Sequence, residues 1–108
     1  MTIVEQNDFR LVRSRIEEIC EQYRLALTKL HNLNNSIMNK NISREQINKY
    51  RNYVNTFELI LRCLNKEDAS MIRNININRI PSEELGYSRS NYYVKYRKAA
   101  TSFLKYLS

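Results

Sequence analysis

From Phe9 onward the apolar residues fall at Phe9, Val12, Ile16, Ile19, Tyr23, Ala26, Leu30, Leu33 and Ile37, in steps that alternate 3 and 4 without a break. An α-helix turns once in about 3.6 residues, so this spacing lays the side chains along one narrow stripe, whereas a strand would scatter them to both faces. The pattern predicts a long amphipathic helix whose stripe must be covered lengthwise by another helix, in the same chain or across a dimer. Cys20 and Leu27 widen the stripe toward an ordinary core face, which favours a partner within the chain. Asn32, Asn34 and Asn35 are weak helix formers, so the helix should end between Leu33 and Lys40.

A second helix is announced by Ser43 with Gln46 three residues on, the form of a capping box. Its apolar positions Ile47, Tyr50, Val54, Phe57, Leu61 and Leu64 repeat the 3 and 4 steps, so its stripe matches the first in period. A short polar link, Asn39 to Ile42, would let it fold back antiparallel, each helix covering the other's stripe. Cys20 and Cys63 would lie at similar depths in that hairpin. Both read as small buried apolar residues, because two cysteines without CxxC spacing or a nearby His make neither a disulfide framework nor a zinc or redox motif.

Composition removes several function classes. The 108 residues include one Gly and one Pro, too little for a Gly-rich phosphate loop, a dinucleotide fingerprint or a series of tight hairpins. That length allows one small domain or two half-sized units, and a hydrophobic fraction of 43% is enough to bury a core. No apolar run approaches the roughly 18 residues of a membrane span, and Met1 to Arg15 lacks the basic-then-apolar order of a secretory signal. No membrane partner and a cytoplasmic location are therefore expected. His31 has no Asp, Ser or Cys arranged around it, and Glu17, Glu18 and Glu21 stand at helical spacings from Arg13, Arg15 and Arg24, which reads as surface ion pairing. No catalytic residue, metal site or cofactor is expected, and the chain does not read as an enzyme.

The charge is unevenly divided. Residues 1–70 carry 11 basic and 9 acidic side chains, while 71–108 carry 7 basic and 2 acidic, and from Gly86 onward there is no acid at all. Such a field attracts a polyanion. Asn65 can cap a short helix from Glu67 to about Asn74, with Ala69, Met71 and Ile72 partly buried. The alternation over Asn74 to Asn78 resembles a strand, but five residues without a partner strand are better read as an irregular helical connection. Pro81 suits the first turn of a short helix through Leu85, with Glu83 and Glu84 at its positive end.

Gly86 then marks a left-handed stop, and Ser88 can cap a final helix from about Arg89 to Tyr106. That helix should bury Tyr92, Tyr96, Ala99, Phe103 and Leu107, with Ala100 and Leu104 beside them, and project Arg89, Ser90, Tyr93, Val94 and Arg97 elsewhere. Leu85 to Tyr93 thus has the layout of the turn and recognition helix of a helix-turn-helix DNA reader. Such a helix presents its N-terminal end to the major groove, where Arg forms a fork with guanine and small hydroxyls reach base edges or phosphates. Lys95, Lys98 and Lys105 would serve backbone contacts. Of the eight tyrosines, Tyr23, Tyr50, Tyr92 and Tyr96 read as core, leaving Tyr53, Tyr87 and Tyr93 open as stacking surfaces for unpaired bases.

Residues 57–107, with Phe57-Glu58-Leu59, Leu64-Asn65-Lys66-Glu67-Asp68, Ile72, Leu85 to Ser90 and Ala99-Ala100, resemble sigma-factor region 4 and related helix-turn-helix regulators. The run Gly86 to Tyr93, followed by Lys95, Arg97, Lys98 and Ala99, is similar to phage late-gene activators of the autolysin-regulator kind and to small mycoplasma proteins with the same C-terminal pattern. The resemblance implies that the last helix reads the major groove of double-stranded DNA through Ser88, Arg89, Ser90, Tyr93, Val94, Arg97 and Lys98. It also implies that neighbouring helices can dock on RNA polymerase. Two positions depart from the family pattern. Ser82 stands four residues before Gly86, where a small Ala is usual, and Lys95 occupies the usual apolar anchor of the last helix, with Tyr96 beside it.

The expected fold is all-α: a long N-terminal antiparallel helical hairpin over residues 1–64, followed by a compact three-helix helix-turn-helix unit over 65–108. The expected function is a small DNA-binding transcription regulator, with a homodimer through the heptad helices as a possible assembly. The alternative is a non-enzymatic adaptor that binds RNA polymerase or another protein through a degenerate helix-turn-helix.

Overall fold

The stripe that begins at Phe9 turns inward, as its spacing requires. The computed structural model describes residues 3–32 and 43–107, with side chains from Phe9 onward. Helix α1 (Ile3–Asn32) buries Ile16, Cys20, Tyr23 and Ala26, with Phe9, Val12 and Ile19 packed at the margin of the core. Leu27 falls on the exposed side. Leu33 and Ile37, the end of the expected stripe, lie outside the described residues, as does the link Asn39 to Ile42.

Helix α2 (Arg44–Cys63) starts at the predicted capping box: the Gln46 amide N–H donates to Ser43 Oγ, and the Ser43 N–H donates to Gln46 Oε1, both at 3.2 Å. Phe57, Ile60 and Leu61 are buried. The Tyr23 ring stacks on Phe57 with centroids 4.0 Å apart, and the Tyr53 hydroxyl donates to the Ile19 carbonyl at 3.0 Å, so α1 and α2 cover one another's stripes. Cys63, expected inside, is exposed, because it falls off the face formed by Phe57, Ile60 and Leu61.

Helix α3 (Lys66–Ile72) begins where Asn65 Oδ1 accepts the Asp68 N–H at 2.8 Å. It runs directly into a π-helical turn, Arg73–Ile77, which takes up the residues whose alternation had resembled a strand. Met71, Ile72 and Asn76 are buried along this segment. Arg79 then adopts a left-handed backbone, φ 55°. A single 3-10 turn, Ser82–Leu85, leads through Gly86 to helix α4 (Arg89–Lys105). Leu107, expected in the core, lies beyond the end of α4 and is exposed.

One core takes side chains from all four helices: Ile16, Cys20 and Tyr23 of α1, Phe57, Ile60 and Leu61 of α2, Met71 and Ile72 of α3, and Tyr96, Ala99, Ala100 and Phe103 of α4. The rings of Phe57 and Phe103 meet at 5.0 Å between centroids. Burying a side chain as large as Phe103 contributes about 2 to 3 kcal/mol. The core thus continues across the expected boundary between residues 64 and 65.

Polar contacts reinforce it. Glu58 of α2 accepts hydrogen bonds from the Tyr23 hydroxyl and, at 2.7 Å, from Arg73 Nη2, which ties α1, α2 and the π turn together. Burial resists ionisation of Glu58, but the bonds from Tyr23 and Arg73 outweigh it and hold the carboxyl below the usual range. Burial, then the bond to Glu58, pushes the Tyr23 hydroxyl up to about 12. The Arg24 guanidinium of α1 donates to the carbonyl of Asn76 in the π turn. Among the described residues there is no strand, and no helix is long and apolar enough to cross a membrane.

Candidate nucleic-acid interface

The presentation of α4 begins with Gly86, whose φ 78°, ψ 9° is the left-handed stop that the sequence demands. Two residues later Ser88 is extended and its Oγ accepts the Asn91 N–H at 3.2 Å, capping the first turn. Behind that turn Tyr96, Ala99, Ala100 and Phe103 are buried, which fixes the rotation of α4 about its axis. With about 100° per residue, Ser90, Val94, Lys98 and Lys105 then fall on the opposite side. All four are exposed, Val94 at 63%.

The sequence-derived residues do not all share that face. Ser88, Arg89, Ser90, Val94 and Lys98 are exposed, and Arg97 is half-buried on its flank. Tyr93 is turned inward: it is half-buried, with its ring centroid 4.3 Å from that of Phe9 of α1. It therefore leaves the outward face, because a large aromatic gains more by covering Phe9 than by standing in water. Asn91, not singled out from sequence, is exposed in the first turn of α4, and its helical position was the only signal that could have indicated it.

Lys95 is also committed. Its ammonium donates to Glu67 of α3 and stands 5.8 Å from the centroid of the Tyr87 ring. The bond to Glu67 raises the Lys95 pKa, and the reciprocal bond lowers that of Glu67. Both groups face solvent, so the pair orients more than it stabilises. Tyr96, next to Lys95, is buried and accepts the Asn76 Nδ2–H at 3.0 Å.

None of the three tyrosines left open offers a bare ring. Tyr53 is bonded to the Ile19 carbonyl, Tyr87 lies under Lys95, and Tyr93 covers Phe9. The remaining exposed face is cationic and polar around Val94. From Arg89 to Lys105, α4 contains no carboxylate. Among the described residues no three His, Cys, Asp or Glu side chains gather as a metal site. Comparison of the chain with protein-family models, with curated proteins and with solved structures returns no match.

Proposed function

We propose that this chain is a small DNA-binding transcription regulator that acts in the cytoplasm together with RNA polymerase. In this reading residues 1–64 form a docking hairpin and residues 65–108 a unit resembling sigma-factor region 4. The observation that carries it is the outward face of α4: acid-free, cationic, and starting at a capped N-terminus behind a left-handed glycine. Free N–H groups and the helix dipole at that end favour a phosphate. Arg89 is suited to fork onto guanine, the Ser88 and Ser90 hydroxyls to reach base edges or phosphates, and Val94 to meet a thymine methyl. Arg97, Lys98 and Lys105 would neutralise backbone phosphates. A homodimer through the heptad stripe is no part of the proposal, since Ile16, Cys20, Tyr23 and Ala26 are buried within the chain.

The exposure of Val94 at the centre of the face supports a second reading, an adaptor whose α4 docks on RNA polymerase or another protein. Binding of the full chain to labelled duplex DNA and to RNA polymerase, each at low and physiological salt, separates the two. DNA affinity that falls steeply with salt is expected for the regulator. Arg89→Ala should cost about 1 to 3 kcal/mol and relax sequence preference, whereas Lys98→Ala should weaken all sequences alike. Unchanged affinity in the Arg89 and Arg97 double alanine variant would exclude the base and phosphate contacts assigned to those two residues. Polymerase binding without appreciable DNA affinity would establish the adaptor.

A further inference from the structure

We propose that the cavity where the end of α2, the start of α3 and the last turn of α4 meet is a binding site for a guanidinium compound that also bears a carboxylate, of the kind of free arginine. The cavity has a volume of about 250 Å³, and Cys63, Leu64, Asp68, Ser102, Lys105 and Tyr106 are among the residues that line it. That is just below the roughly 300–1,000 Å³ of drug-sized sites, which suits a smaller metabolite. It lies at the opposite end of α4 from Ser88, so the proposal does not rest on the DNA-binding reading.

Asp68 is the residue that points to a ligand. It is 4% exposed, yet its carboxylate takes part in no hydrogen bond or ion pair among the described residues; the bond from its backbone N–H to Asn65 Oδ1 caps α3 and leaves the carboxylate out. Among the described residues the one side-chain polar atom both sealed from solvent and without a partner is Asn76 Oδ1. Both Asp68 oxygens therefore keep an opening, and the cavity that Asp68 lines is where they open. A carboxylate withdrawn from water is costly unless an opposite charge and hydrogen bonds meet it. Two open oxygens on one carboxylate are what a guanidinium fork satisfies with parallel N–H···O bonds, whereas an ammonium is a more strongly hydrated point charge. Tyr106 adds a ring on which a planar cation can stack, and its hydroxyl donates to the Cys63 carbonyl at 3.4 Å, which keeps it beside the cavity. Lys105 is exposed at the rim and makes no ion pair with Asp68. It takes the ligand's carboxylate, and that pairing offsets its repulsion of the guanidinium.

The test uses the full chain with L-arginine as probe, read by calorimetry and thermal shift at constant ionic strength. Saturable binding and a matching rise in Tm are expected. L-citrulline, which keeps the shape but carries an uncharged ureido group, should bind at least about tenfold more weakly, since it loses the charge-assisted fork. Asp68→Asn should weaken L-arginine binding by at least about tenfold. Lys105→Gln should weaken L-arginine but leave agmatine, which lacks the carboxylate, unchanged. Helical circular dichroism establishes that the Asp68→Asn protein is folded; were it not, the comparison of L-arginine with L-citrulline on the unaltered chain decides the question alone. No saturable binding at any soluble L-arginine concentration overturns the proposal, as does equal binding of L-citrulline or full retention of binding in a folded Asp68→Asn protein. Tighter L-arginine binding in Lys105→Gln overturns it too, because Lys105 would then be the natural partner of Asp68.

Discussion

Arg79 and Gly86 both carry a left-handed backbone, at φ 55° and φ 78°, and both lie on the path into α4. They reach it by opposite means. Gly86 makes its own turn: it has no Cβ to strain, and a Cβ built there would meet nothing within 4 Å. The Arg79 turn is imposed from outside, by the carbonyls of Arg73 and Asn74 and by the Arg24 bond to the neighbouring π turn. A turn written into one residue can be read locally. One held by the hydrogen bonds of its neighbours stores strain and depends on those bonds.

Substitutions can break or sharpen that contrast. Gly86→Val should have the largest effect, a loss of about 2 to 3 kcal/mol in urea unfolding, because a β-branched residue tolerates the left-handed region poorly. Gly86→Ala should lose about 1 to 2 kcal/mol, all of it torsional, since the space is open. Equal losses for the two variants would show that the Cβ alone sets the penalty and that β-branching adds nothing to it. Ser88→Ala, which removes the cap just after Gly86, should lose about 1 kcal/mol. Arg79→Gly should have the opposite sign, a gain of up to about 1 kcal/mol, read as a Tm rise of roughly 4 to 8 °C. A lower Tm would mean that Arg79 is not strained.

Acid gives the smallest effect and separates the turns by their supports. The Glu58 carboxyl is held below its usual range when folded, so its contribution is present above the ordinary carboxylate value and is lost as pH falls through the depressed one. Protonation should loosen Arg73, and hydrogen exchange at Asn78 and Ile80 should accelerate in acid before exchange at Asn91, the amide held by the Ser88 cap. Simultaneous acceleration would show that the turns are not separately supported.

The same division explains what was legible in the sequence. The stripes of α1 and α2 were readable because helical burial is periodic, and the caps at Ser43 and Ser88 because their bonds close within three residues. The polar members of the α4 face follow from the inward placement of Tyr96 and Phe103 by simple rotation. The inward turn of Tyr93 was not legible because its partner, Phe9, is remote in sequence. The π turn, the strained Arg79 and the Tyr23, Glu58 and Arg73 cluster had no local signature, since each is created by elements meeting in space. Cys63 was placed inside on residue type alone, and the rotation of α2 decided otherwise.

That last difference equips the molecule with an internal clock. Burial pushes the Cys20 thiol up to about 12, while Cys63 stands in solvent at the end of α2. A thiol-directed dye should therefore label the native protein once, at Cys63, without mutagenesis. A second equivalent can enter only when α1 lifts from the core, so the slow modification of Cys20 times the opening of the whole fold.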